Sequence, residues 1–118
     1  MNKSMPLTQK KCQPCEGIGA PLDMDQAVAQ LKKIPEWTID DSGKIISRTY
    51  SAKNFMAAIH FIEKVAAVAE SEGHHPDIHL TGYRKLKIDL STHAIGGLSE
   101  NDFIVAAKIN ELPIETKQ

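Results

Sequence analysis

The sequence predicts an α+β fold, in which helices cover one face of a four-stranded antiparallel sheet in the order αββαββα. Three segments carry apolar residues at the spacing of three and four that is typical of a helix. Between them lie two pairs of segments in which apolar and polar residues alternate, each pair joined by a short turn. Two hairpins and separate helices favour an antiparallel sheet covered on one face, and 118 residues suffice for one hydrophobic core.

The first helix and the first hairpin are predicted from their end signals. Asp23 is expected to cap the helix, with Gln26 three residues later as its capping-box partner, and Pro35 ends the helix. The apolar positions of this helix are Ala27, Val28, Leu31 and Ile34. Trp37–Asp40 and Lys44–Tyr50 then form two strands, joined by a turn that ends in glycine.

The second helix has the clearest helical period in the chain. Ser51 is expected to cap it and Gly73 to end it, because a left-handed residue is wanted at that position. Its apolar face consists of Phe55, Ile59, Ile62, Val65, Ala66 and Ala69. The chain then alternates from Pro76 to Thr92, with a turn near Thr81-Gly82, so these residues form the second hairpin. The apolar strand positions are Ile78, Leu80, Leu86, Ile88 and Leu90.

The last helix is expected to begin after Ser99 and to stop before Pro113. Asp102 occupies its third position, and Leu98 with Phe103 fits a hydrophobic staple. A carboxylate in the first turn also favours the positive end of the helix dipole. We therefore interpret Asp102 as a capping residue.

The composition excludes several classes of protein. The formal net charge is -1, without the basic patch or tail of a nucleic-acid-binding protein. No apolar run approaches the ~20 residues that a membrane span needs, and the lysines near the start are not followed by the apolar core of a secretory signal. We therefore expect a cytoplasmic protein that binds neither nucleic acid nor membrane.

Residues 1–21 are expected to form a flexible N-terminal arm, and residues 22–118 the folded domain. The arm carries Cys12 and Cys15, spaced Cys-x-x-Cys. A four-thiolate zinc site needs a second pair of cysteines, and a thioredoxin-like motif should open a helix after a buried strand. Since neither context is present, two reduced thiols on a loosely ordered arm are favoured, and their role stays unexplained.

The histidines carry the candidate chemistry. His74 and His75 follow the second helix, and His93 follows the fourth strand, so a hairpin would bring them to one end of the sheet. His79 lies in mid-strand, opposite the apolar face, and is expected to point to solvent, whereas His60 lies within the second helix. Imidazoles titrate at ~6.5 and suit acid–base catalysis near neutral pH. From the residues alone, ordinary surface histidines explain the cluster equally well.

An ordered set of residues around the histidines resembles the pattern of a known family, and this resemblance favours the catalytic interpretation. The set comprises Glu70, His74-His75-Pro76, Tyr83, Ser91-Thr92-His93, Gly97-Leu98-Ser99 and Asp102. Its residues and spacing resemble the pterin-4a-carbinolamine dehydratase family, and LKKIPEW at Leu31–Trp37 resembles the segment before that family's first strand. The resemblance covers roughly residues 22–112.

The resemblance implies a fold, an assembly and a reaction. The fold is αββαββα, with dimers that join their sheets and often form tetramers. The reaction is loss of water from 4a-hydroxytetrahydropterin to give quinonoid dihydropterin, which recycles the pterin cofactor of aromatic amino acid hydroxylases. The substrate is the pterin, a hydroxylase is the functional partner, and the enzyme itself is expected to need no metal or other cofactor.

The resemblance also implies residue roles. His74 and His93 handle the protons, and His75 positions the pterin and assists. The residues expected to bind substrate are Gly73, Ser91, Thr92 and Glu70. Many family members carry Asp where this chain has Gly73, and Glu70 one turn earlier is expected to compensate for that carboxylate. For Tyr83 we favour a role in closing the hairpin, and for Trp37 a place in the core.

Two rival functions remain to be compared. In the first, His74 and His75, with His79 or His93, would hold a metal, although adjacent histidines rarely bind one ion. In the second, the chain would be a binding module, since animal members of the family also bridge a transcription factor as a dimerisation partner. Activity measured with and without a chelator distinguishes the three functions.

Overall fold

The protein adopts the predicted α+β fold with the element order αββαββα. This computed structural model describes residues 6–12 and 20–116. Within these ranges the helices are α1 (Met24–Leu31), α2 (Phe55–Glu72) and α3 (Glu100–Asn110), and the strands are β1 (Thr38–Ile39), β2 (Ile46–Ser51), β3 (Asp77–Thr81) and β4 (Lys85–Leu90). Short 3-10 turns occupy Leu7–Gln9 and His93–Ile95. None of the described helices is long and apolar enough to cross a bilayer.

Both predicted hairpins form, and they join through their second strands. The sheet order is β1-β2-β4-β3, with every neighbouring pair antiparallel. In the centre, Tyr50 of β2 lies opposite Leu86 of β4. β3 is therefore an edge strand, and the chain that leads from α2 to β3 lies beside the chain that leaves β4.

Alternation along the strands separates an apolar face from a polar one. Leu86, Ile88 and Leu90 of β4 are buried in one cluster with side chains of α2 and α3, so the helices cover this face. The opposite face carries polar side chains. His79 is exposed there, with its Nε2 atom 3.1 Å from Asp89 Oδ2, so its predicted orientation to solvent is confirmed.

The helix ends follow the sequence signals, with one exception. The capping boxes predicted at Asp23 and at Ser99 are both present, and Gly73 ends α2 in the left-handed conformation, with φ 65°. The prediction that Ser51 caps α2 is wrong. Ser51 is the last residue of β2, and the Asn54 side chain accepts the first-turn hydrogen bond from the amide of Ala57.

The two aromatic residues of the family pattern have structural positions, as expected. Trp37 is buried in the core, and its indole N–H donates to Asn110 Oδ1 at 2.8 Å. Tyr83 is exposed in the turn between β3 and β4, where its φ of 57° is unusual for a residue other than glycine.

The described part of the N-terminal segment packs on the domain. Leu7 is 6% exposed and belongs to the main core cluster. Lys10 Nζ lies 2.6 Å from Glu100 Oε2, and the amide of Cys12 donates to Glu72 Oε1 at 2.9 Å. This packing differs from the loose order expected around Cys12, because a buried leucine and two polar contacts fix the segment. Cys15 lies outside the described residues, and the boundary at residue 21 stays a prediction.

Candidate active site

The end of α2 fixes the first histidine of the predicted set. Gly73 reverses the chain, and the amide of His74 donates to Ala69 O at 3.2 Å. The His74 side chain is only 6% exposed, and its Nε2 atom lies 2.6 Å from Asp102 Oδ1 at the start of α3. An imidazole and a carboxylate thus meet in the interior, where a hydrogen bond is electrostatically stronger than in water.

Asp102 is the centre of a buried polar network. Its Oδ2 atom accepts from the Ser99 amide at 2.9 Å and from Thr92 Oγ1 at 2.8 Å, while its Oδ1 atom faces His74. Thr92 and Ser99 also share a hydrogen bond of 2.7 Å between their hydroxyls. Asp102 is 0% exposed. The predicted capping role is therefore present, but the same carboxylate also holds a candidate catalytic histidine.

Sequence reasoning did not place Asp102 in the site, for a physical reason. The capping signal is local and fully explains a carboxylate three residues after Ser99. The contact with His74 spans 28 residues and depends on how α2 and α3 pack. In the sequence, only the spacing of Asp102 within the family pattern indicates that it belongs to the site.

His75 is exposed, whereas His74 is buried. Its side chain is 62% exposed, and its Nε2 atom lies 2.6 Å from Glu70 Oε2 on the last turn of α2. Because an ionised carboxylate can only accept hydrogen bonds, Glu70 orients the His75 ring with its Nε2 proton toward α2. The direct contact of Glu70 in this structure is thus with His75.

A cavity of about 250 Å³ opens where β3 begins and β4 ends. Its lining residues are Lys44, Ile45, His75, Asp77, Asp89, Leu90, Ser91, His93 and Gly96. Pockets for drug-sized ligands are ~300–1,000 Å³, so a cavity of about 250 Å³ suits a small molecule. His75 and His93 are brought together on this cavity, as the hairpin argument expects, and Ser91 lines it with them. His74, the third histidine of that argument, does not line the cavity and belongs to the buried network of Asp102.

The loop after β4 presents His93. Thr92 N donates to Gly97 O at 2.8 Å, and this bridge closes a short loop that contains the turn His93–Ile95. Thr92 is buried while its neighbour His93 is exposed. Because Thr92 and His93 are consecutive residues, a single peptide bond joins the buried network of Asp102 to the histidine that lines the cavity.

Three of the four predicted substrate-binding residues, Glu70, Thr92 and Gly73, do not line the cavity. The Thr92 hydroxyl is fully buried and bonds both Ser99 and Asp102. Gly73 is exposed at the helix end, and a Cβ added there would have no heavy atom within 4 Å. Direct binding of a pterin by these residues stays a prediction.

Three of the four histidines considered for the rival metal site have separate carboxylate partners. His74 contacts Asp102, His75 contacts Glu70, and His79 contacts a third carboxylate on the open face of the sheet. Among residues 6–12 and 20–116, no group of three His, Cys, Asp or Glu side chains is arranged to hold a metal ion.

Comparison with known proteins identifies the fold and the family. The family model described as pterin 4 alpha carbinolamine dehydratase matches residues 20–112. The chain belongs to this family. Enzymes of the pterin-4-alpha-carbinolamine dehydratase group are hydro-lyases, so the predicted family and enzyme class are confirmed.

Individual dehydratase relatives match over most of the chain. A Halorhodospira halophila protein named for this activity is 47% identical over 108 residues, which is 92% of this chain and 98% of that protein. Pterin-4-alpha-carbinolamine dehydratase 2 of Arabidopsis thaliana, a mitochondrial protein, is 46% identical over 92% of this chain and 60% of its own length.

Solved structures of a pterin dehydratase and of a pterin dehydratase-like protein share the fold. The transcriptional coactivator/pterin dehydratase of Brucella melitensis superposes with a TM-score of 0.70 and 29% identity, over 76% of this chain and 95% of that one. A pterin dehydratase-like RuBisCO assembly factor of the alpha-carboxysome gives a TM-score of 0.53 at 20% identity, over 64% of this chain and 86% of that one. The second likeness concerns the fold alone.

Proposed function

We propose that the protein dehydrates 4a-hydroxytetrahydropterin to quinonoid dihydropterin, with histidines as the acid and base. The observation that carries this proposal is the cavity at the end of β4, where His75 and His93 lie together beside the buried pair of His74 and Asp102. Membership of the dehydratase family supports the substrate class.

The reaction requires little beyond positioned proton donors and acceptors. The lone pair of pterin N5 expels the hydroxyl group from C4a, so one acid must protonate the departing oxygen and one base must take the N5 proton. Both steps suit imidazole near neutral pH, because either protonation state is accessible there. His93, exposed on the cavity, is the group we assign to direct proton exchange with the substrate.

His74 is assigned the second proton-handling role, and Asp102 sets its protonation pattern. An ionised Asp102 only accepts hydrogen bonds, so it draws the His74 proton to Nε2 and leaves Nδ1 as the acceptor of the neutral ring. His75, oriented by Glu70, is assigned to hold the pterin. Ser91 lines the same cavity and supplies a hydroxyl for the ring, whereas Thr92 acts through Asp102.

Three wider features belong to the same proposal. The substrate is the hydroxylated pterin that an aromatic amino acid hydroxylase leaves behind, so the enzyme would recycle the cofactor of such a partner in the cytoplasm. A homodimer or homotetramer is supported by β3, whose outer side has no partner strand within residues 6–12 and 20–116. Unpaired edge strands are commonly covered by pairing with a second chain.

The proposal is tested by following formation of the quinonoid product from 4a-hydroxytetrahydropterin in the ultraviolet. We expect His93→Ala and His74→Ala each to lower the rate by ~100-fold or more, the usual scale for removing a positioned acid or base. His60→Ala, on the exposed side of α2, is the matched control. A chelator should leave the rate unchanged, whereas a metalloenzyme would be silenced and a pure binding module inactive throughout. Folded His74 and His93 variants that keep more than half of the activity would refute the assignment.

A further inference from the structure

Lys10 and Cys12 of the N-terminal segment contact the two helices next to His74 and Asp102. Lys10 pairs with Glu100 at 2.6 Å, on the first turn of α3. The Cys12 thiol lies 3.6 Å from the carbonyl oxygen of Asn101, and the Cys12 amide donates to Glu72 at 2.9 Å, on the last turn of α2. The segment thus contacts the two residues before Asp102 and the residue two before His74.

Glu72 is the centre of these contacts, and the reaction as proposed does not use it. Its side chain is 3% exposed, with Oε2 2.5 Å from Lys108 Nζ on α3 and Oε1 on the Cys12 amide. Burial alone would raise the pKa of Glu72, but the hydrogen bonds from Lys108 and Cys12 outweigh it and hold the pKa below its usual value. The carboxylate is therefore ionised at neutral pH and pairs with the ammonium group.

Like the pair of His74 and Asp102, the pair of Glu72 and Lys108 links the end of α2 to α3. Only Gly73 separates Glu72 from His74, and glycine has the least conformational restriction of any residue. The hydrogen bond from the His74 amide to Ala69 O and the Glu72 side chain anchor this backbone on either side of Gly73.

We propose that Glu72 is a positioning residue, through which the segment Lys10–Cys12 and Lys108 hold His74 against Asp102. This inference rests on the proposed dehydratase function. Positioning of this kind affects kcat more than KM, because misplacing a reacting group by about 1 Å can cost up to ~100-fold in rate without removing a contact to the substrate.

The experiment compares full-length variants in steady-state kinetics, with wild type measured first. We expect Glu72→Ala to lower kcat by ~10-fold with KM within about twofold, and to alter the pH profile of kcat, since the His74 ring is no longer held in one position against Asp102. Lys108→Met should behave similarly, and the conservative Lys108→Arg should restore most of the rate. Glu63→Ala, an exposed glutamate on the same helix, is the matched control.

A spectroscopic readout separates positioning from general loss of stability. In wild type, the His74 Nε2 proton that is hydrogen-bonded to Asp102 should give a downfield, slowly exchanging NMR signal. In Glu72→Ala this signal should shift or disappear at temperatures where the variant is fully folded. Lower melting temperature with an unchanged His74 signal and pH profile would mean that Glu72 is only structural, and would overturn the inference. Wild-type protein that fails to dehydrate the pterin would instead refute the proposed function, and the NMR comparison would still test the contact.

Discussion

Replacing Asp102 separates its structural contribution from its effect on His74. Asp102→Ala removes the acceptor for three donors: the Ser99 amide, the Thr92 hydroxyl and the His74 ring. Asp102→Asn keeps the size and one acceptor oxygen, but its amide group can donate to the His74 nitrogen. The histidine would then carry its proton on the other ring nitrogen, which is the wrong tautomer for the assigned base.

The expected loss of stability follows from which donors are left without a partner. Thr92 still has the Ser99 hydroxyl at 2.7 Å, so the Ser99 amide and the His74 ring are the two groups left unsatisfied in Asp102→Ala. Each costs about 1–3 kcal/mol, so the free energy of unfolding should fall by roughly 2–6 kcal/mol. A cap alone would cost about 0.5–2 kcal/mol. For 118 residues, a loss of ~4 kcal/mol lowers the melting temperature by roughly 16 °C.

Two measurements check this prediction: urea unfolding of both variants, and the pH dependence of kcat for Asp102→Asn. The asparagine variant should stay folded while kcat falls by at least ~100-fold, since positioned acid–base groups contribute 10²–10⁴-fold. Asp102→Glu, which keeps the charge but not the geometry, is the matched control for charge. The reasoning fails if Asp102→Ala loses less than about 1 kcal/mol, or if Asp102→Asn keeps most of the wild-type rate and the same pH profile.

Three further predictions concern groups outside the cavity. The pKa of Glu72 is lower in the folded protein than in the unfolded chain. Its contribution to stability is therefore present above the unfolded pKa and is lost as pH falls through the folded pKa. Glu72→Gln should accordingly reduce the fall of the unfolding free energy at acid pH. Burial and the neighbouring Glu72 carboxylate raise the pKa of the Cys12 thiol to about 12. Iodoacetamide at pH 8 should therefore modify Cys12 far more slowly in folded protein than in urea, as measured by peptide mass spectrometry. Equal rates would contradict the described packing. Asn54→Ala should cost about 1 kcal/mol of stability in chemical denaturation, whereas Ser51→Ala should cost almost nothing, and the reverse order would restore Ser51 as the cap.

The elements that the sequence predicts correctly are those whose signals are local. The capping boxes at Asp23 and Ser99 need only four consecutive residues, and both form as expected. The prediction of Ser51 as the cap is wrong because two residues that can cap a helix, Ser51 and Asn54, precede the same apolar helix. Pairing with β4 extends β2 through Ser51, and a contact between strands so distant in sequence cannot be deduced from the helix signal.

The candidate site divides in the same way. The approach of His75 to His93 follows from hairpin geometry, which alternation predicts. The burial of His74 and its contact with Asp102 depend on the packing of two helices, which periodicity describes only as apolar faces. Leu7 lies in a segment without any period, so its place in the core had no signal in the sequence.

The left-handed turn at Gly73 also bears on how this site can vary between species. Its φ of 65° admits few residues at low cost, and apart from glycine these are mainly Asn and Asp. The space around the position is empty, since an added Cβ would meet no heavy atom within 4 Å. A lineage can therefore exchange Gly73 for Asp in one step, and so gain or lose a carboxylate next to His74, while the backbone stays where it is. Chemistry at this position can evolve almost independently of the fold.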